Sequence, residues 1–132
     1  MRFVVLGGAG DMGSAIVRDL VDSNVSEVII ADLNQERADS ICSELKGKKT
    51  KLSARFVDAN DHASLVQAIK GADAVASAIG PFYEYGPKTV KAAIEAGVPY
   101  VDIDDDYDAT RACLKLDGKA RKAGIAAIVG LI

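Results

Sequence analysis

Gly8, Gly10 and Gly13 stand in the spacing G-x-G-x-x-G within Gly7-Gly8-Ala9-Gly10-Asp11-Met12-Gly13. A backbone bare of side chains lets a diphosphate approach closely, so the chemistry expected of this loop is anion binding. Gly8 is read as permitting the tight turn. Gly10 leaves room for the pyrophosphate, and Gly13 lets the next helix pack closely on the preceding strand. The amides at the helix start, those of Asp11 and Met12 included, would meet the anion together with the positive end of the helix dipole. The Asp11 carboxylate itself would repel a diphosphate, so its side chain is read as a helix cap. A lone glycine motif is weak, but here a strand precedes it, an amphipathic helix follows, and an acid ends the next strand. No Gly-Lys-Ser/Thr follows, so the loop is not a P-loop.

Asp32 is that acid, nineteen residues beyond Gly13. A carboxylate there can accept hydrogen bonds from the adenosine ribose hydroxyls. A 2′-phosphate would meet like charge, so NAD is favoured over NADP, although Arg37 one turn on softens the choice. Asp32 also reads as a cap for the next helix, and the two roles are compatible. Asp58 and Ala59 follow the third apolar run, where the edge of such a sheet borders the adenine. The same Asp58-Ala59-Asn60-Asp61 reads equally well as a helix N-cap. In Ser77-Ala78-Ile79-Gly80-Pro81, Ala78 and Gly80 are small enough for a cofactor to pass over and should border the nicotinamide ribose; a plain strand-to-loop turn would look the same.

These residues need elements to position them. Strands are expected at 3–6, 28–31, 52–57, 74–78, 100–103 and 125–129, each a short apolar run. Helices are expected between them. The first covers 12–22 with Ile16/Leu20 and Val17/Val21 four apart. The second carries Ala38, Ile41, Cys42 and Leu45, and the third Leu65, Val66 and Ile69 up to Gly71. The fourth has Pro87 in its first turn and ends at Gly97, and a long fifth has Ala109, Ala112, Cys113, Leu116 and Ala120 on one face before Gly124. Six strands alternating with five helices imply a Rossmann-type, doubly wound parallel α/β sheet of order 3-2-1-4-5-6, in a single domain over 1–132.

Composition narrows the function. A net charge of −3, 5% aromatics and no Trp argue against a nucleic-acid surface. The longest apolar run, 123–132, is shorter than the ~20 residues that span a bilayer, and the N-terminus turns glycine-rich too soon for a signal peptide. Cys42 and Cys113 are isolated, so no zinc site or disulfide framework is expected, and a reduced cytoplasmic chain is. With one histidine, His62, and no GxSxG, hydrolytic chemistry is nearly excluded. His62 is read as a solvent-side residue near a helix start, and the cysteines as small core residues.

The glycine loop, Ala72-Asp73-Ala74-Val75, Gly80-Pro81-Phe82 and Ala96-Gly97-Val98-Pro99-Tyr100-Val101-Asp102 together resemble the saccharopine dehydrogenase family, over nearly the whole chain but only its NAD(P)-binding domain. The resemblance implies hydride exchange between a nicotinamide and the C–N carbon of an amino acid or polyamine. In that family a second domain binds the substrate and supplies most acid/base groups. The 132 residues alone are therefore expected to bind the dinucleotide and to turn over poorly, with no catalytic residue assignable; a homodimer is compatible with this reading.

Two further features are ambiguous. In the acidic run Asp102-Ile103-Asp104-Asp105-Asp106-Tyr107-Asp108, the EF-hand positions six and twelve hold Tyr107 and Cys113, so it is no calcium loop. It is either a negative rim that attracts an amino substrate or a set of acids at a helix N-terminus. Phe82, Tyr83 and Tyr85 either line a substrate cavity or cover the helix start at Pro87. The competing function is an NAD-sensing regulatory domain of a potassium-transport system without redox chemistry, which Gly80-Pro81-Phe82-Tyr83 disfavours. A short-chain reductase would need Tyr-x-x-x-Lys, and neither Tyr85 nor Tyr107 has it.

Overall fold

The computed structural model describes residues 1–130; Leu131 and Ile132, the end of the last apolar run, lie outside the described residues. The chain runs β1 (Arg2–Leu6), α1 (Asp11–Asp22), β2 (Glu27–Asp32), α2 (Gln35–Glu44), β3 (Lys51–Phe56), α3 (His62–Ile69) and β4 (Ala74–Ser77). It continues through α4 (Phe82–Ala96), β5 (Tyr100–Asp102), α5 (Tyr107–Leu114), α6 (Asp117–Ala123) and β6 (Ala127–Ile128). The strands form one sheet in the order β3-β2-β1-β4-β5-β6, and every pairing is parallel. This is the expected doubly wound architecture.

Alternation along the strands builds two cores. Val4, Leu6, Ile29 and Ala31 face one side and pack with Leu65, Ile69, Val90 and Ala93 from α3 and α4. Val5, Val28 and Ile30 face the other and pack with Val17, Val21, Ala38 and Ile41 from α1 and α2. Successive side chains of a strand point to opposite faces, so a strand covered on both sides must be apolar throughout. β2 shows this, with Val28 through Ala31 all buried.

Two expectations about helices need correction. The long last helix is two, α5 and α6, broken at Lys115-Leu116. Cys113, Leu116 and Ala120 all still bury, so apolar spacing runs unbroken across a break it cannot report. Pro87 is not in the first turn of α4. The helix starts at Phe82 with Pro81 as N-cap, and Pro87 sits inside it. A proline there removes one i→i−4 hydrogen bond, and the Thr89 hydroxyl instead donates into the same stretch, to the Tyr85 and Gly86 carbonyls at 3.0 and 2.9 Å.

Parallel pairing brings the strand ends Leu6, Asp32, Phe56, Ser77 and Asp102 to one edge of the sheet. In this fold the ligand crevice lies at that edge, where the strand order reverses between β1 and β4.

Candidate dinucleotide site

The loop from β1 to α1 is shaped by close contacts. The left-handed residue of the turn is Gly7 (φ 73°), not Gly8. Gly8 is required for another reason: a Cβ there would lie 2.9 Å from Ile30 Cγ2 and 3.0 Å from the Val5 carbonyl oxygen. Gly13 behaves as the spacing predicts, since its Cβ would stand 1.9 Å from the Gly7 carbonyl oxygen. At Gly10 only the Gly7 oxygen, 3.4 Å away, would meet an added Cβ. Gly10 is the N-cap of α1, and no side chain caps the helix. Asp11 is thus corrected from cap to first helical residue, exposed, with its carbonyl accepting from Ser14 Oγ. Gly10 N donates to Gly7 O and Ser14 N to Gly10 O, while the amides of Asp11, Met12 and Gly13 find no acceptor among the described residues. Unpaired amides at a helix start, on a loop stripped of side chains, are the donor set a diphosphate fits.

Asp32 braces this loop. Its Oδ2 accepts from the Ala9 amide at 3.0 Å and its Oδ1 from the Asn34 amide at 2.9 Å. Asn34, not Asp32, caps α2, accepting from Arg37 N. A carboxylate has about four lone-pair sites, so two amides leave capacity for ribose hydroxyls. The N-cap expected within Asp58-Ala59-Asn60-Asp61 is Asp61, which caps α3, while Asp58 Oδ1 accepts from Asn60 N at 2.9 Å.

Two clefts open along the sheet edge. One, of about 310 Å³, is lined by Gly7, Gly10, Asp32, Asp58, Ala59 and Tyr85, among others. The second, of about 570 Å³, is lined by Met12, Pro81, Phe82, Tyr83, Asp105 and Asp106, among others. Ala78 and Gly80 line both. The structure therefore gathers Gly10, Asp32, Asp58, Ala59, Ala78 and Gly80 in the first cleft and Met12, Ala78 and Gly80 in the second; Gly8 and Gly13 lie buried behind the loop. The aromatics divide: Phe82 and Tyr83 border the second cleft, Tyr85 the first. All three sit in the opening turns of α4, not in a loop. Leu33, Val57, Asn60 and Ile79 also line the first cleft, and sequence spacing carried no signal for them.

The acidic run is mostly structural. Asp102 and Asp104 are 1% and 2% exposed. Asp102 accepts from Tyr100 Oη (2.6 Å), Asp104 N and Gly130 N. Asp104 accepts from Asp106 N and Thr110 Oγ1, and Asp106 caps α5. Of the run's acids, Asp105 and Asp106 reach the second cleft, with Ile103 beside them. Burial and the neighbouring Asp102 hold the Tyr100 phenol well above its ordinary range, so it stays a donor. His62 opens α3 and pairs with Glu95, away from both clefts. Cys113 is buried, while Cys42 is only partly so. Among the described residues no group of three His, Cys, Asp or Glu could hold a metal, and no helix is long and apolar enough to cross a membrane.

The family model for the saccharopine dehydrogenase NADP binding domain matches residues 3–128. A lipid droplet localized protein of Caenorhabditis elegans is 33% identical over 110 residues, covering 78% of this chain and 26% of that protein. A glutamyl-tRNA reductase of Methanothermobacter thermautotrophicus is 33% identical over 112 residues, covering 81% and 25%. The chain thus spans about a quarter of the length of these two relatives. Among solved structures, AtPrR2 in apo form is 26% identical with a TM-score of 0.66, over 97% of this chain and 46% of that one. Pen from Bacillus thuringiensis reaches a TM-score of 0.81 over 97% and 48%, and at 14% identity shows the fold alone. An uncapped helix start with free amides at the switch point of a doubly wound sheet is in keeping with a family match over 3–128: the chain is a nicotinamide-dinucleotide-binding domain and belongs to the saccharopine dehydrogenase NADP-binding domain family.

Proposed function

We propose that the domain serves an oxidoreductase that moves a hydride between a nicotinamide and the C–N carbon of an amino acid or polyamine. The observation that carries the reading is the uncapped start of α1, with its free amides, set between two clefts that share Ala78 and Gly80. A dinucleotide has two nucleoside halves joined by a diphosphate, and this arrangement has a place for each. When bound, the nicotinamide supplies or accepts the hydride. The chain's own residues do the rest. The amides of Asp11, Met12 and Gly13 hold the diphosphate, and Gly10 lets it approach. Asp32 orients the adenosine ribose in the first cleft, beside Asp58 and Ala59. Ala78 and Gly80 pass beneath the nicotinamide ribose, and the second cleft receives the nicotinamide and borders the substrate.

The family's description names NADP, whereas Asp32 argues for NAD. Its carboxylate is fixed by two backbone amides and cannot swing away from a 2′-phosphate without releasing them. Arg37, exposed on the first turn of α2, is a cation that would offset the repulsion. Calorimetric titration of the chain with NADH and NADPH tests both levels of the proposal. NADH is expected to bind at least about tenfold tighter, a difference of ~1.4 kcal/mol. Tighter NADPH binding overturns the preference, and binding of neither overturns the site. The C–N chemistry is tested on the whole protein, by amine-dependent reduction of NAD.

A further inference from the structure

We infer that Asn60, Tyr85 and Lys88 form a preset clasp on the adenine half of the dinucleotide; the inference rests on the dinucleotide reading above. Tyr85 rises from α4, half-buried, into the wall of the first cleft. Its hydroxyl accepts from Asn60 Nδ2 at 3.2 Å. Lys88, three residues along α4, places Nζ 3.2 Å from Asn60 Oδ1 and 5.2 Å from the centre of the Tyr85 ring. Both ends of the Asn60 amide are therefore taken by α4, and the ring and the cation brace each other.

The turn that carries Asn60 is itself tied down. Asn60 N donates to Asp58 Oδ1 (2.9 Å), Asp58 N to Ser64 Oγ (3.0 Å), and Asp61 N to Asp58 O (3.0 Å). The wall joining the β3–α3 turn to α4 thus needs no ligand to order it, and a wall ordered beforehand costs less to bind against. Its chemistry suits a purine. Tyr85 offers a flat face, Leu33, Val57 and Ile79 offer apolar surface, and Asn60 gives polar atoms, held at its Oδ1 by Lys88. The adenosine belongs here because Asp32, the ribose acid, lines this cleft and not the other. Asp58 then acts through Asn60: it is a positioning residue for the clasp.

The test is an NMR titration of the full chain and of its N60A, Y85F and K88M variants with ADP and, separately, with nicotinamide mononucleotide. ADP is expected to shift the Asn60 side-chain amide resonance, and the mononucleotide to leave it in place. Each variant is expected to bind ADP about three- to tenfold more weakly, the range of one lost hydrogen bond, with mononucleotide affinity held within about twofold. ADP affinity unchanged in N60A and Y85F overturns the clasp and leaves the dinucleotide reading standing. Equal losses for both fragments also overturn it, because that is general loosening of the crevice. A wild-type chain that binds neither fragment nor NADH overturns the dinucleotide reading, and the clasp falls with it.

Discussion

Two glycines of one motif, three residues apart, separate binding from folding. A Cβ at Gly13 would overlap the Gly7 carbonyl, and no rotamer relieves a backbone clash. G13A is therefore expected to lose more than about 2 kcal/mol of stability, measured by urea denaturation. A Cβ at Gly10 meets little protein, so G10A should cost under about 1 kcal/mol, yet abolish NADH binding in calorimetry by filling the diphosphate's place. Asp32 mixes the two roles. D32A leaves the Ala9 amide, on a residue only 2% exposed, without its acceptor. A loss of about 1–3 kcal/mol in urea denaturation is expected, alongside weaker NADH binding. Cys113 gives a pH effect. Burial, then Asp102 and Asp104, push its thiol from 9.0 to about 11. The folded state holds this proton more tightly than the unfolded state, so the stability it contributes is present below pH 9 and is lost as pH rises toward 11. The urea midpoint of the wild type should fall across that window, and C113A should fall less. If both fall alike, the thiol is not the cause.

At the scale of elements, how each helix begins decides what it can do. Asp106 caps α5 with a 2.8 Å bond from Ala109 N, and D106A is expected to cost about 1 kcal/mol in urea denaturation. α1 has no such bond to lose, which is what leaves its amides for a ligand. The sequence made much of this legible. Alternating apolar runs gave the six strands, and right-handed crossovers gave their order, because few topologies satisfy both. The glycine spacing found the loop, although it credited the turn to Gly8 when Gly7 adopts the left-handed conformation. What stayed hidden has physical reasons. The α5–α6 break keeps Cys113, Leu116 and Ala120 on the core side, so periodicity passes through it. Pro87 suggested a helix start, but a proline is tolerated inside α4. The Asn60–Tyr85 contact joins residues 25 apart in the chain and leaves no local pattern.

For the whole molecule, ligand binding and folding are one equilibrium. NADH at about 100 times its dissociation constant should add ~2.7 kcal/mol, raising the melting temperature of a chain this size by roughly 10 °C. A thermal melt with and without NADH measures it, and G10A should show no rise. The two clefts along the sheet edge share Ala78 and Gly80 in their linings among the described residues. That saddle makes the intact cofactor a tethered pair: once one nucleoside settles on its slope, its sibling is confined near the other at high effective concentration. Affinity for the whole should then greatly exceed that for either fragment. A bulkier residue at position 78, which lines both clefts, would cut this avidity and weaken the nicotinamide fragment's own grip as well.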